Sequence, residues 1–161
     1  MTRILGIVGR KDGGKTGLVE RLVAELTARG LSVATMKNAH HAARLDAPGT
    51  DSDRHRRAGA VRALLATPEG WAMTGGGPEG PVALARRLAG ADLVIAEGFK
   101  AAPWPKIEAW RPECREGPLA PAHGIVLLAA IGSPGRAVPA LPLGETTALA
   151  DHALTIAVDL P

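Results

Sequence analysis

Eight consecutive residues near the start of the chain have the types and spacing needed to hold a phosphate. Gly9-Arg10-Lys11-Asp12-Gly13-Gly14-Lys15-Thr16 fits G-x-x-x-x-G-K-[ST]. In such a loop the backbone N–H groups wrap around a phosphate, and small or permissive residues are needed where the turn is tight. Lys15 reaches the β- and γ-phosphates, and the Thr16 hydroxyl binds Mg2+. A helix beginning there adds its positive dipole end. The nucleotide-binding stretch is therefore expected to run from Gly9 to Gly17.

A metal held beside that loop needs a further acidic group from a neighbouring strand. Asp92-Leu93-Val94-Ile95-Ala96-Glu97-Gly98 offers two. Asp92 precedes the apolar run and falls at the far end of the sheet, so it reads as a polar residue opening a strand. Glu97 closes the run, on the side where open α/β sheets bind ligands. Glu97 is the expected partner of Thr16 at Mg2+.

A third group follows the second apolar segment. Lys37, His40 and His41 come first, then Asp46, Asp51 and Asp53, on a polar stretch of unusual length. Such loops are usually functional or disordered. Carboxylates suit a hard cation directly or through its waters, so one reading is a switch-like loop closing over the metal and the γ-phosphate. Solvent exposure or turn capping accounts for the histidine pair equally well. The chain has no glutamine. Any attacking water would thus be placed by His41, Asp46 or Asp51, which with Lys15 are the catalytic candidates, and hydrolysis is expected to be slow. The Arg54-His55-Arg56-Arg57 run reads as a solvated helix face, and Cys114 as a lone thiol in a loop.

The surrounding pattern supplies elements to position these groups. Ile4 to Val8 is a short apolar run, read as a buried strand. Leu18, Val19, Leu22, Val23 and Leu26 recur at helical spacing, which predicts a helix over residues 15–28, with Gly30 at its end. Ser32 to Met36 is a second strand, completing a βαβ unit and hence a parallel sheet. A short helix over Ser52–Arg57 and strands at Val61–Ala66 and Trp71–Thr74 come next. Pro81–Leu88 is a helix with proline at its start. Leu93–Ala96 and Ile125–Ile131 are strands, Lys106–Trp110 an edge strand, and Thr146–Leu154 a final helix. The fold expected is α/β, a P-loop NTPase-like, mostly parallel sheet flanked by helices, and residues 1–161 read as a single P-loop nucleotide-binding domain.

Composition narrows the function classes. In 161 residues, 46% are apolar and 22% charged, a soluble globular mix. The five-residue apolar run at the start has no basic region before it, so no secretory signal is expected. No segment approaches the roughly 18 apolar residues of a membrane span. One cysteine excludes an internal disulfide. A cytoplasmic protein without membrane attachment is the expectation. The net charge of +3 favours anionic ligands slightly. With no tyrosine, Phe99 as the one phenylalanine, and three tryptophans, stacking platforms for nucleic acid are scarce.

Taken in order, several stretches resemble the MobB family, the molybdopterin-guanine dinucleotide biosynthesis adaptor proteins. They are the loop Gly9 to Thr16, Met36-Lys37 followed by His40-His41, Asp46-Ala47-Pro48-Gly49-Thr50-Asp51-Ser52, Arg57-Ala58-Gly59-Ala60, and Val94 through Glu97-Gly98-Phe99-Lys100. Pro105-Lys106-Ile107-Glu108 with Arg111 completes the set. The resemblance spans roughly residues 2–131. It implies a GTP-binding protein with weak GTPase activity that assists the guanylyltransferase MobA and handles molybdopterin. It also implies GTP rather than ATP, Mg2+ near Glu97 and Asp51, and a homodimer. The short segments Trp71–Thr74 and Lys106–Trp110, as exposed edges, and Trp104 and Trp110, as interface anchors, fit such a dimer. Two alternatives share the same fold, a small-molecule P-loop kinase and a metallochaperone GTPase.

Overall fold

The computed structural model describes residues 1–39, 47–75, 77–114, 116–135 and 137–161. These divide into two compact units, one formed by Met1–Asn38 with Gly80–Pro161 and the other by Ala39–Glu79.

The first unit is built on a seven-stranded sheet. Its strands are β1 (Arg3–Val8), β2 (Val33–Lys37), β5 (Leu93–Glu97), β6 (Lys106–Trp110), β7 (Ile125–Ala130), β8 (Ala140–Pro142) and β9 (Val158–Asp159). They run in the order β2-β5-β1-β6-β7-β8, all parallel, while β9 pairs antiparallel with Arg3 and Ile4 of β1. The mostly parallel sheet read from the sequence is thus present. β1 is buried on both faces, as its unbroken apolar run requires. Leu5 and Ile7 pack with Leu18, Leu22 and Leu26 of α1 (Lys15–Ala28) and with Leu149 and Ala153 of α4 (Thr146–Ile156). Ile4 faces the other way, against Val94, Ala96, Trp104 and Ala85 of α3 (Pro81–Arg86).

Helix α1 ends where the sequence indicated. Gly30 takes φ +89, its N–H bonds the Thr27 carbonyl at 2.9 Å, and the Leu31 N–H bonds the Leu26 carbonyl at 3.1 Å. This paired closure satisfies two of the carbonyls a helix end leaves open.

Two expectations are corrected. Lys106–Trp110 is not an edge strand; it lies inside the sheet between β1 and β7. A strand with two charges in five residues reads as solvent-facing, but here both charges are buried and satisfied by backbone. Lys106 Nζ donates to the carbonyls of Ala102 (2.6 Å) and Trp104 (2.8 Å). The Glu108 carboxylate accepts from the N–H groups of Leu119 (2.7 Å) and Ala120 (2.9 Å). Trp104 is likewise no surface anchor. It is 2% exposed, stacked edge-on to Phe99 and seated over Gly6, where an added Cβ would come within 3.1 Å of its Nε1. Trp110 is half-buried.

The second unit contains α2 (Asp51–Arg57) and a hairpin of β3 (Arg62–Thr67) and β4 (Gly70–Gly75). Gly49, at φ +87, and Thr50 form the helix entrance. The Thr50 hydroxyl accepts from Asp53 N–H at 3.4 Å, while Asp53 accepts from Gly49 N–H at 2.8 Å. The N-cap and its reciprocal carboxylate account locally for Gly49, Thr50 and Asp53 at the helix entrance.

At the far end of the sheet Asp92 joins β2 to β5, accepting from both the N–H (2.8 Å) and the hydroxyl (2.7 Å) of Ser32. Those two bonds hold its carboxyl below the ordinary value of 3.8. A depressed carboxylate stabilises the fold above that value and stops doing so as pH falls through its own pKa. We expect Asp92→Ala to lower the midpoint of urea unfolding at neutral pH, with the gap from wild type narrowing below pH 3.8. A gap independent of pH would remove the assigned ion–dipole role.

Candidate functional site

The loop between β1 and α1 is shaped by what lies beside it. An ideal Cβ on Gly9 would sit 2.4 Å from the Ala109 carbonyl oxygen of β6, and one on Gly13 would sit 2.7 Å from the same atom. Gly9 has φ +147, Gly14 φ +88, and Asp12 φ +62. The loop therefore passes against the β6 backbone with no room for a side chain at two points, and it turns through left-handed geometry at others. The first helical bond of α1 runs from Leu18 N–H to the Gly14 carbonyl at 3.0 Å. The N–H groups of Lys15, Thr16 and Gly17 precede it, so their hydrogens point out of the helix start.

Lys15 folds over the loop and donates to the Arg10 carbonyl at 2.5 Å. Burial pushes its pKa below the ordinary 10.5; Glu97 pulls it back up, and Lys100 pushes it down. Thr16 Oγ1 donates to Glu97 Oε1 at 3.0 Å. Glu97 is 7% exposed. Its position follows from register, because Ile7 and Lys37 flank it on the neighbouring strands. The hydroxyl and the acid read from the sequence are thus brought together, while Asp92 stands at the opposite end of β5.

The other expected residues fall elsewhere. Arg10 pairs with Glu116, and Asp51 is exposed in the second unit, 3.6 Å from Arg54. Arg57 and Arg56 lie 2.9 and 3.8 Å from Asp53, so the basic run is engaged with its own helix. His40, His41 and Asp46 lie outside the described residues.

Sequence reasoning assigned no role to the segment after β6, and the structure packs it against the phosphate loop. Cys114 is buried and donates to the Lys11 carbonyl at 3.5 Å. A cavity of about 450 Å³ is lined by Arg10, Lys11, Asp12, Glu113, Cys114 and Glu116. The Arg111 guanidinium lies against Gly14, whose added Cβ would be 2.8 Å from Arg111 Nε. That nitrogen is buried without a hydrogen-bond partner. Its place one residue past a strand that ends at the phosphate-loop side is the signal that marks it.

Two oxygen ligands of different kinds, a hydroxyl and a carboxylate, meeting at a glycine cradle with a lysine suit Mg2+ carried on nucleotide phosphates. Among the described residues no three His, Cys, Asp or Glu side chains gather as a metal site on their own. No described helix is long and apolar enough to cross a membrane.

A parallel sheet whose first strand feeds this loop into a helix, with an acid closing the adjacent strand, defines a P-loop NTPase-like protein. The sequence profile of the family described as molybdopterin guanine dinucleotide synthesis protein B matches residues 4–132. The chain is 40% identical over 138 residues to the molybdopterin-guanine dinucleotide biosynthesis adapter protein of Haemophilus influenzae, covering 81% of this chain and 75% of that protein. It is 34% identical over 106 residues to the Escherichia coli protein of the same description, covering 62% and 61%. The crystal structure of Bacillus subtilis MobB superposes with a TM-score of 0.74 at 21% identity, covering 98% of this chain and 99% of that one, a likeness of fold. The chain belongs to the MobB family.

The packing of Gly9 gives a test. Gly9→Ala meets both left-handed strain and the Ala109 carbonyl, whereas Gly30→Ala meets the strain with nothing within 4 Å. Left-handed strain costs about 1–2 kcal/mol, and overpacking adds about 1–3 kcal/mol. Urea unfolding is expected to show the larger loss for Gly9→Ala. Equal losses would mean the loop is not pressed against β6.

Proposed function

We propose that this chain is a GTP-binding adapter with slow GTPase activity, assisting the guanylyltransferase MobA in joining a guanine nucleotide to molybdopterin, in the cytoplasm. The Thr16–Glu97 contact supports the reading most, because it brings a hydroxyl and a carboxylate together at the mouth of a glycine cradle. In this reading Gly9–Gly17 bind the phosphates, Lys15 neutralises them, and Thr16 and Glu97 hold Mg2+. Mg2+, when bound, supplies the divalent charge that the triphosphate needs. Asp51, with His41 and Asp46, belongs to the stretch proposed to order the attacking water. The biosynthetic role is supported by family membership and by what the relatives are called, and the choice of GTP by the family resemblance.

Calorimetry tests the nucleotide. GTP is expected to bind more tightly than ATP, and Lys15→Ala is expected to abolish triphosphate binding. Glu97→Gln is expected to weaken binding more in Mg2+ than in its absence, since it removes a charge facing the metal. Unchanged GTP affinity in Lys15→Ala would overturn the assignment.

A homodimer is proposed through the β3–β4 hairpin. Register places Leu64 opposite Met73 and Ala66 opposite Trp71, so these four share one face. Leu64 is 61% exposed and Trp71 72% exposed, an apolar face suited to self-pairing. Light scattering is expected to give twice the 16.6 kDa chain mass, and L64S/W71S to give the monomer. A monomeric wild type at micromolar concentration would remove the proposal.

A further inference from the structure

The last residues of β2 and β5, Lys37 and Glu97, are partners in the parallel register. Their side chains meet. Lys37 Nζ lies 3.3 Å from Glu97 Oε1 and donates to Thr16 Oγ1 at 3.4 Å. Thr16 Oγ1 lies 3.0 Å from the same carboxylate oxygen. An ammonium group therefore faces the same hydroxyl and carboxylate that the proposed function gives to Mg2+. Lys15, which also interacts with Glu97, directs its own ammonium to the Arg10 carbonyl.

The arrangement has a physical cause. A carboxylate as enclosed as Glu97 is costly without a neutralising charge. Lys37 supplies it from a side chain that is itself 59% exposed, a flexible stem carrying a compact point charge. A divalent ion touching Thr16 and Glu97 would stand within contact distance of that ammonium, and two cations at that separation repel strongly. The seat holds one or the other.

Resting on the reading of Thr16 and Glu97 as the metal seat, we propose that Lys37 is the resident cation of that seat and is displaced when magnesium nucleotide binds. Two consequences follow from charge alone. Without Mg2+, Lys37 stays in place and partly neutralises a bound triphosphate. With Mg2+, part of the metal's gain is spent on moving Lys37 away. The affinity gain from Mg2+ is therefore smaller in this chain than in a variant lacking the ammonium.

The test compares wild type, Lys37→Met and Lys37→Gln by calorimetry with GTP, in Mg2+ and in EDTA. Melting of the nucleotide-free proteins confirms folding, and Lys37→Gln serves where Lys37→Met does not fold. The ratio of Kd in EDTA to Kd in Mg2+ is expected to rise about tenfold on removing the ammonium, a change worth about 1.4 kcal/mol. It should rise because binding in EDTA weakens while binding in Mg2+ holds or tightens. A second arm needs no nucleotide: Mn2+ titrated into the free protein, followed by electron paramagnetic resonance, is expected to bind Lys37→Met more tightly than wild type. Equal loss of GTP affinity with and without Mg2+ would make Lys37 an ordinary phosphate contact and overturn the proposal, as would an unchanged ratio or unchanged Mn2+ binding. Failure of the metal seat itself looks different, with wild-type GTP binding absent or indifferent to Mg2+.

Discussion

The Ala109 carbonyl sets the shape of the phosphate loop. That oxygen would lie 2.4 Å from a Cβ on Gly9 and 2.7 Å from one on Gly13, so the loop can lie against β6 only as bare backbone. The close approach determines where α1 begins, and with it the direction of the Lys15, Thr16 and Gly17 N–H groups. It also explains why β6 must be an inner strand. A carbonyl on a free edge would have nothing on its far side to fix it, whereas β6 is held by β1 on one side and by β7 on the other. The charges within β6 belong to the same arrangement. Lys106 ties down residues 102–104 and Glu108 ties down residues 119–120, the chain segments that enter and leave the strand. Removing one partner of such a buried polar pair would leave the other unsatisfied at considerable cost.

Electrostatics at the Thr16 end of the loop centres on Glu97. Glu97 has Thr16 at 3.0 Å and Lys37 at 3.3 Å, and it raises the pKa of a Lys15 that burial would otherwise depress further. Arg111 adds a guanidinium against Gly14. Glu97 thus has the ammonium groups of Lys15 and Lys37 beside it, while Asp12, Glu113 and Glu116 line the cavity at Arg10 and Lys11.

The sequence made the first unit legible wherever one signal dominated. The unbroken apolar run of β1 and the 3.6-residue spacing of α1 each had one sensible reading, and strand direction set Glu97 rather than Asp92 at the loop end of β5. Reading failed where tertiary context reversed a local cue. Lys106–Trp110 read as a short edge strand, yet it lies inside the sheet, and backbone groups just before and after the strand satisfy its two buried charges. Trp104 looked like an anchor because nothing in its neighbourhood reveals that Gly6 leaves room for it. The two-residue β9 and three-residue β8 are too short to carry a period. Arg111 and the segment through Cys114 were opaque for a related reason, since contact with the phosphate loop depends on the sheet order, which propensity does not encode.

Holding a nucleotide and hydrolysing it place different demands on a chain, and in the proposed reading they fall to different segments. The cradle, the lysine, the hydroxyl and the acid are all fixed by strand ends and a helix start of the first unit. The groups proposed to order water come from the stretch between β2 and β3, where Asp51 is exposed and paired with Arg54. A water positioned by such a group must be organised at each turnover, and lost pre-organisation raises the barrier directly. In the proposed reading binding suffers no comparable loss, because its groups are placed by strand ends and a helix start. In the proposed reading, a chain divided in this way keeps its triphosphate intact longer than a self-sufficient NTPase would. That persistence is what an adapter presenting a bound nucleotide to a partner enzyme requires.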